Sequence, residues 1–202
     1  DVSAAFFKSQ EFYDTGSFVY RLYRGALGRR LSFGEFSADR TQVVGGPNLE
    51  ASKRAFANAF VARAEFNQRY QDNSSADSFV DALLQTMRIE TAVDLNSQRS
   101  TLLARYQQGG NANESRALVV RDLIDQESFA QAVYNASFVE MEYMGYLRRG
   151  GERAGYDFWV GVLNDSDRNN YRGMVCSFLT SAEYQRRFGS VVTRSNADCG
   201  NR

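Results

Sequence analysis

The 202-residue chain contains no histidine. Histidine is the commonest general base near neutral pH, the usual activating partner of serine and cysteine nucleophiles, and a frequent zinc ligand. Its absence excludes Ser-His and Cys-His nucleophile pairs and most zinc sites. Nucleophile-elbow, dinucleotide-binding and Walker motifs are missing as well. We therefore predict no catalytic residue, no cofactor and no metal ligand. Proline occurs once, at Pro47, which excludes a Pro-rich linker.

Neither sign of charge is in excess, because 24 basic side chains balance 24 acidic ones. A neutral chain lacks the basic footprint that binds nucleic acid or an anionic membrane surface. Long hydrophobic runs are missing too, since no stretch approaches the roughly 18 apolar residues that a membrane span needs. The sequence thus predicts neither a nucleic-acid partner nor a membrane span.

Aromatic residues are plentiful, with 15 Phe and 11 Tyr, and they indicate a folded core. Apolar residues recur at helical spacing along almost the whole chain, as in Phe18, Leu22 and Ala26. Strand signals are limited to short, isolated valine runs. We therefore predict an all-α fold, with one compact multi-helix domain over 1–189 and a polar C-terminal tail over 190–202.

Two short sequence words recur along the chain and indicate an internal repeat. The first word, F-x-x-x-x-E-[FY], occurs at 6–12, 60–66 and 178–184. The second word is a Phe-Val pair that opens an amphipathic helix, at 18–19, 79–80 and 138–139. The words keep a similar separation in two copies, 42 residues from Phe18 to Phe60 and 40 residues from Phe138 to Phe178.

This spacing divides the chain into a partial unit and three units of about 50 residues. The predicted bounds are 1–12 for the partial unit, then 18–66, 79–129 and 138–184. The unit over 79–129 ends in a degraded copy with Ser128 in the place of the glutamate. We assign a structural role to the residues of these words and to the tryptophan: Glu11, Phe12, Phe18, Phe60, Glu65, Phe66, Phe138, Trp159, Phe178, Glu183 and Tyr184.

The glutamate of the first word has two interpretations. Glu11, Glu65 and Glu183 would each lie near an exposed helix turn, where a carboxylate pairs with an arginine or caps a backbone amide. The alternative is a repeated catalytic carboxylate, which would place half a site in each unit. We favour the ion-pair or capping role.

The stretches 18–29 and 138–159 resemble a bacterial family called domain of unknown function 4214. Leu27-Gly28-Arg29 matches its L-G-R motif, Phe158-Trp159 its F-W motif, and the word at 178–184 its closing F-x-x-S-x-E-F. The resemblance implies an all-helical domain similar to the phycobilisome linker domain. It also implies a secreted or cell-surface bacterial protein, often with adhesion-type or calcium-binding repeats nearby, and no established activity.

The chain departs from this family after the L-G-R motif. Many members carry Pro-Asp there, whereas this chain has Arg30-Leu31 and Gly150-Gly151. A ligand or ion role for that loop in relatives therefore does not transfer to this chain.

The two cysteines, Cys176 and Cys199, are candidates for a disulfide, because an even count in an exported protein favours pairing. The bridge would fasten the polar tail to the last helices. The alternative is two unpaired thiols, one of them buried and inert.

Three further patterns each have a structural and a functional interpretation. Residues 165–169 begin like a calcium-binding loop, but the glycine and the final glutamate are missing, so we predict a polar turn that caps the next helix. The pairs Arg29-Arg30, Arg148-Arg149 and Arg186-Arg187 suit helix C-termini, or alternatively an anion patch. The aromatic residues over 134–159 suit a core, or alternatively an exposed patch for a glycan or protein.

These observations favour a non-catalytic, secreted or cell-surface bacterial helical module. It would act through protein–protein, self-association or extracellular-matrix contacts. One alternative is a carboxylate-based hydrolase acting on polysaccharide, which would need two carboxyl groups about 5–10 Å apart in a cleft. The other alternative is a linker-type scaffold protein.

Overall fold

The computed structural model describes residues 2–188, and all regular secondary structure in this range is helical. The predicted all-α fold is confirmed. The polar tail predicted over 190–202 lies outside the described residues, as does Cys199. Within the described residues, no helix combines the length and apolar character that crossing a membrane requires.

The chain forms two compact units. The continuous unit comprises residues 14–133, and the split unit combines the residues up to Tyr13 with those from Tyr134 onward. These bounds differ from the predicted repeat bounds of 18–66, 79–129 and 138–184. The predicted single domain and its repeat units stay predictions.

The first ten helices range from 5 to 16 residues, and several are separated by turns of only a few residues. They are α1 (Val2–Phe7), α2 (Gln10–Asp14), α3 (Gly16–Leu22), α4 (Phe33–Asp39), α5 (Leu49–Val61), α6 (Ala64–Arg69), α7 (Ala76–Thr91), α8 (Arg99–Tyr106), α9 (Ala112–Ile124) and α10 (Glu127–Ala132). A π-helical turn, Tyr23–Leu27, continues α3, and 3₁₀ turns occur at Arg40–Gln42, Gly46–Asn48 and Asn96–Gln98.

The last four helices belong to the split unit. They are α11 (Tyr134–Leu147), α12 (Arg153–Gly161), α13 (Tyr171–Thr180) and α14 (Ala182–Phe188), with a second π-helical turn, Val162–Ser166, continuing α12. Helix α11 packs against α12, α13 and α14, and α1 packs against α13.

The core of the continuous unit is aromatic. Helix α5 packs against α9, α8 lies against both α7 and α9, and α7 packs on the π-helical turn after α3. Phe18, Phe60 and Phe66 are completely buried there. The rings of Phe60 and Tyr23 meet edge to face, with centroids 5.1 Å apart. Aromatic contacts of this kind stabilise a core beyond their buried area.

The core of the split unit is built in the same way. Phe138 and Phe178 are buried, and the half-buried Trp159 and Tyr184 pack against them. Phe178 meets Tyr143 edge to face, with ring centroids 4.8 Å apart. Phe12, from α2, is also buried and contacts the rings of Phe6 and Phe7.

Candidate functional site

A π-helical turn after α3 sets the position of Arg29. The chain leaves α3 through the π-helical turn Tyr23–Leu27, which ends at Gly28 in the left-handed region, with φ of 68°. The Arg29 amide then donates a hydrogen bond to the Tyr23 carbonyl over 3.3 Å. The guanidinium of Arg29 consequently lies over the Tyr23 ring, 5.0 Å from its centroid.

The Arg29 guanidinium joins two glutamates from different helices. Its Nε and Nη2 donate to the two carboxylate oxygens of Glu65 on α6, each over 2.6 Å. Its Nη atoms also donate to Glu35 on α4, over 2.6 and 3.1 Å, and Nη1 donates to the Arg30 carbonyl. A planar guanidinium with several donors is well suited to this double recognition.

The same contacts determine the ionisation of both carboxyl groups. Burial opposes the charged form of Glu35, but the hydrogen bonds from Arg29 and Ser32 outweigh it and lower the pKa of Glu35 to about 2. Hydrogen bonds from Arg29 also lower the pKa of Glu65. Both groups are therefore charged at neutral pH, as an ion pair requires.

Arg149 makes the corresponding contacts in the split unit. Its Nε and Nη2 donate to the two carboxylate oxygens of Glu183 on α14, each over 2.8 Å. Its Nη1 donates to Glu152 and to the Gly150 carbonyl. The guanidinium lies 5.0 Å from the centroid of the Tyr143 ring. Hydrogen bonds from Arg149 lower the pKa of Glu183.

Glu65 and Glu183 are thus ion-pair residues that tie a helix to the loop after another helix. Glu11 lies on the exposed side of α2. In the stretch 79–129, Glu90 stands 11 residues after Phe79, where Arg29 and Arg149 stand 11 residues after their own Phe-Val words. Under the predicted repeat, Ser128 occupies the glutamate place, so neither partner of the pair would be present in that stretch.

Helix α12 presents an exposed face that carries an aromatic ring. None of its residues is fully buried. The outward side consists of Arg153, Ala154, Asp157 and Phe158, and Phe158 is 61% exposed. The Phe158 ring meets the half-buried Trp159 edge to face, with centroids 5.2 Å apart. Among the aromatic residues of 134–159, Phe158 is therefore an exception to the predicted core role.

Glu142 is a buried acid that the sequence analysis missed. It lies in α11, is fully inaccessible to solvent, and neither carboxylate oxygen has a hydrogen-bond donor among the residues that the structure describes. Burial raises the pKa of Glu142 to about 9, so the side chain is protonated at neutral pH. One signal could have revealed it, because Glu142 stands four residues after Phe138, where Leu22 follows Phe18.

The remaining sequence candidates take structural positions. Asn170, after the acidic turn 165–169, accepts a hydrogen bond from the Gly173 amide over 2.8 Å and caps α13. In residues 2–188 no three acidic or thiol side chains lie close enough together to hold a metal ion. Cys176 lies in α13, but its predicted partner Cys199 lies outside the described residues, so the disulfide stays a prediction.

The fold and these ion pairs define an all-α protein in which an arginine after one helix pairs with a glutamate of another helix, as in Arg29 with Glu65 and Arg149 with Glu183. Comparison with family models matches residues 121–193 to the family described as Domain of unknown function (DUF4214). The predicted family resemblance is confirmed over this segment, which contains Arg149, Trp159 and Glu183. Searches of the curated proteins and of the solved structures return no match.

Proposed function

We propose that the protein is a non-catalytic helical module that associates with a second copy of itself. The observation that carries the proposal is the outward face of α12, where the ring of Phe158 is 61% exposed on a helix without a fully buried residue. Aromatic side chains at the centre of a polar surface are typical anchors of protein interfaces.

The charges beside Phe158 support a second copy as the partner. Arg153 and Asp157 carry opposite charges one turn apart, and their side chains are 93% and 63% exposed. When two α12 helices lie antiparallel across a two-fold axis, Arg153 of one copy faces Asp157 of the other. Such a surface is complementary to itself, which is the requirement of a symmetric dimer.

The position of the recurring glutamates supports a non-catalytic role. Glu65 and Glu183 each accept two hydrogen bonds from an arginine, so their charge is used to join helices. A general acid or base instead needs a carboxyl group that can exchange its proton with a substrate.

Sedimentation velocity over a range of protein concentrations tests the proposal. We expect a monomer–dimer equilibrium that Phe158→Ser weakens by about tenfold or more, as for an anchor residue. Ile89→Ser is the matched control, because Ile89 is 68% exposed on α7 of the other unit. Dimerisation should not change in that control.

Charge reversal tests the two-fold arrangement separately. Arg153→Asp or Asp157→Arg alone should weaken the dimer through like-charge contacts, and the double variant should restore it. A wild-type protein that stays monomeric up to about 1 mM would overturn the proposal. Equal weakening of the dimer by Ile89→Ser would also overturn the proposal. Binding of a glycan or of another protein to the α12 face, instead of a second copy, would assign the face to that partner.

We further propose that this module works outside the bacterial cell or at its surface. The match of residues 121–193 to the family supports this localisation through the resemblance described above. Immunoblotting of culture medium, surface extract and cytosol tests it. Recovery of the protein in the cytosol alone would contradict it.

A further inference from the structure

A polar cleft of about 410 Å³ lies in the continuous unit among α5, α8 and α9. Residues one turn apart line it from two sides, with Glu50, Arg54 and Asn58 on α5 and Glu114, Leu118 and Asp122 among those on α9. Arg105 and Gln108 line it from the end of α8. We call this space the α5–α9 cleft. Its volume lies in the range typical of small-molecule sites.

Ion pairs fix the walls of the α5–α9 cleft. Arg121 Nη2 on α9 donates to Glu50 on α5 over 2.8 Å. Arg105 Nε on α8 lies 2.9 Å from an Asp122 carboxylate oxygen on α9. These pairs connect all three helices, so the polar groups of the cleft are held in place before any ligand arrives. A preformed arrangement reduces the entropy cost of binding.

Two arginines that line the cleft have N–H groups without a partner among the described residues. Arg54 is exposed and forms no ion pair with any residue among 2–188. The side chain of Arg121 is only 16% exposed, and its Nε–H is buried without a hydrogen-bond acceptor in the described part of the chain. The exposed guanidinium of Arg54 is therefore the donor group that an anion in the cleft can reach.

Acceptors lie beside these donors. Glu114 accepts a hydrogen bond from the Gly110 amide over 3.0 Å, which fixes its carboxylate at the rim of the cleft. The Asp122 carboxylate is half-buried at the other end of the same α9 stripe. Carboxylates and the Asn58 and Gln108 amides recognise hydroxyl groups through their fixed lone pairs and N–H donors.

We propose that the α5–α9 cleft binds a small hydroxylated organic anion, namely a sugar acid or a sugar phosphate. The arginine donors take the carboxylate or phosphate, and the surrounding carboxylates and amides take the hydroxyls. This inference does not depend on self-association through α12, because every lining residue belongs to the continuous unit.

Titration of ¹⁵N-labelled protein, followed by amide chemical shifts, tests this site. The probes are glucuronate, glucose 6-phosphate and neutral glucose. We expect saturable shifts of α5, α8 and α9 amides with at least one of the two anions, and binding of glucose at least about tenfold weaker, because glucose lacks the charge-assisted hydrogen bonds. Shifts with glucuronate assign a carboxylate ligand, and shifts with glucose 6-phosphate assign a phosphate.

Two variants show whether Arg54 takes the anion. Arg54→Ala should weaken binding of the anion about tenfold or more, and Arg54→Lys should retain part of it. Arg88→Ala is the matched control, since Arg88 is exposed on α7 and does not line the cleft. The proposal is overturned if neither anion gives saturable shifts, if glucose binds as tightly as the anions, or if Arg88→Ala weakens binding equally.

Discussion

Arg149 and Glu183 lie 34 residues apart in the chain and are joined by two parallel hydrogen bonds of 2.8 Å. Both side chains are 32% exposed, so solvent screens the pair only in part. A bidentate pair within a larger set of contacts is stronger than an isolated surface ion pair. This pair holds α14 against the loop that follows α11.

The first prediction concerns the stability that this pair contributes. Glu183→Gln should lower the free energy of unfolding by about 1 kcal/mol, and a double-mutant cycle with Arg149→Gln should give a coupling energy of similar size. Urea denaturation followed by the fluorescence of Trp159, the only tryptophan, reports on this unit. Asp165→Ala is the control, because Asp165 is exposed on a turn of the same unit. A loss of the same size in this variant would contradict the prediction.

The second prediction concerns acid stability. The pKa of Glu35 is about 2 in the folded protein and 4.5 in the unfolded reference, so its ionisation stabilises the fold above about pH 4.5. That contribution is lost as the pH falls towards 2. Glu35→Gln should therefore cost about 1 kcal/mol at pH 7 and progressively less below pH 4.5. Urea denaturation followed by circular dichroism at several pH values measures the difference.

Glu127→Gln is the control for Glu35. Glu127 lies on the exposed surface of α10 in the same unit and accepts a hydrogen bond from Gln131. Its variant should not reproduce the loss of stability that Glu35→Gln shows at pH 7. A constant difference between Glu35→Gln and wild type from pH 7 to pH 2 would contradict the assignment.

The third prediction concerns the buried acid. The pKa of Glu142 rises from 4.5 unfolded to about 9 folded, so the folded state binds the extra proton between these values. Stability should therefore fall by about 1.4 kcal/mol per pH unit as the pH rises from about 5 to 9. Glu142→Gln should remove this slope and stabilise the protein at pH 8. Asp165→Asn is the control, because Asp165 lies on an exposed turn of the same unit, and it should keep the slope. The same pH dependence in Glu142→Gln and in the wild type would contradict the prediction.

The fourth prediction compares two glycines. Gly28 has φ of 68°, and a Cβ there would lie 2.8 Å from Cγ of Glu90. Gly28→Ala should therefore destabilise the fold by about 1 kcal/mol or more. Gly34 lies in α4, where the nearest side-chain atom to a Cβ is 4.0 Å away, so Gly34→Ala should stabilise it by about 0.5–1 kcal/mol. Thermal unfolding should give melting temperatures that move in opposite directions; equal shifts would contradict the prediction.

The fifth prediction concerns the cysteines. If Cys176 and Cys199 are bridged, the intact mass rises by two hydrogen masses on reduction, and iodoacetamide labels neither residue beforehand. Cys199→Ser should then cost about 3 kcal/mol of stability through lost loop closure. Two labelled thiols in the unreduced protein would reject the bridge.

The sequence predicts the helices and most of the core because helical spacing is a local property. Phe18, Phe60, Phe138 and Phe178 are buried as their spacing indicates. The sequence predicts an ion-pair or capping role for the glutamates of the first word, but the pattern does not show which residue pairs with Glu65. The sequence pattern placed Arg29 only near a helix C-terminus, and its reach to two glutamates depends on the π-helical turn and the left-handed Gly28.

Tertiary packing explains what the sequence analysis missed. Residues 137–144 of α11 are all buried, so no amphipathic stripe distinguishes the Glu142 position from a solvent-facing one. The α5–α9 cleft is likewise invisible in the sequence. Its residues form ordinary polar stripes on two separate helices, and only their packing turns those stripes towards a common space.

If the predicted repeat holds, Glu90 and Ser128 stand in the places of the arginine and the glutamate, and this has an evolutionary consequence. Losing one partner of an Arg–Glu pair leaves a half-buried charge without its counterion, which is worse than having neither. Once the arginine or the glutamate has been replaced, selection should therefore favour replacement of its partner. Homologous chains should accordingly keep the arginine and the glutamate as a correlated couple or lack both.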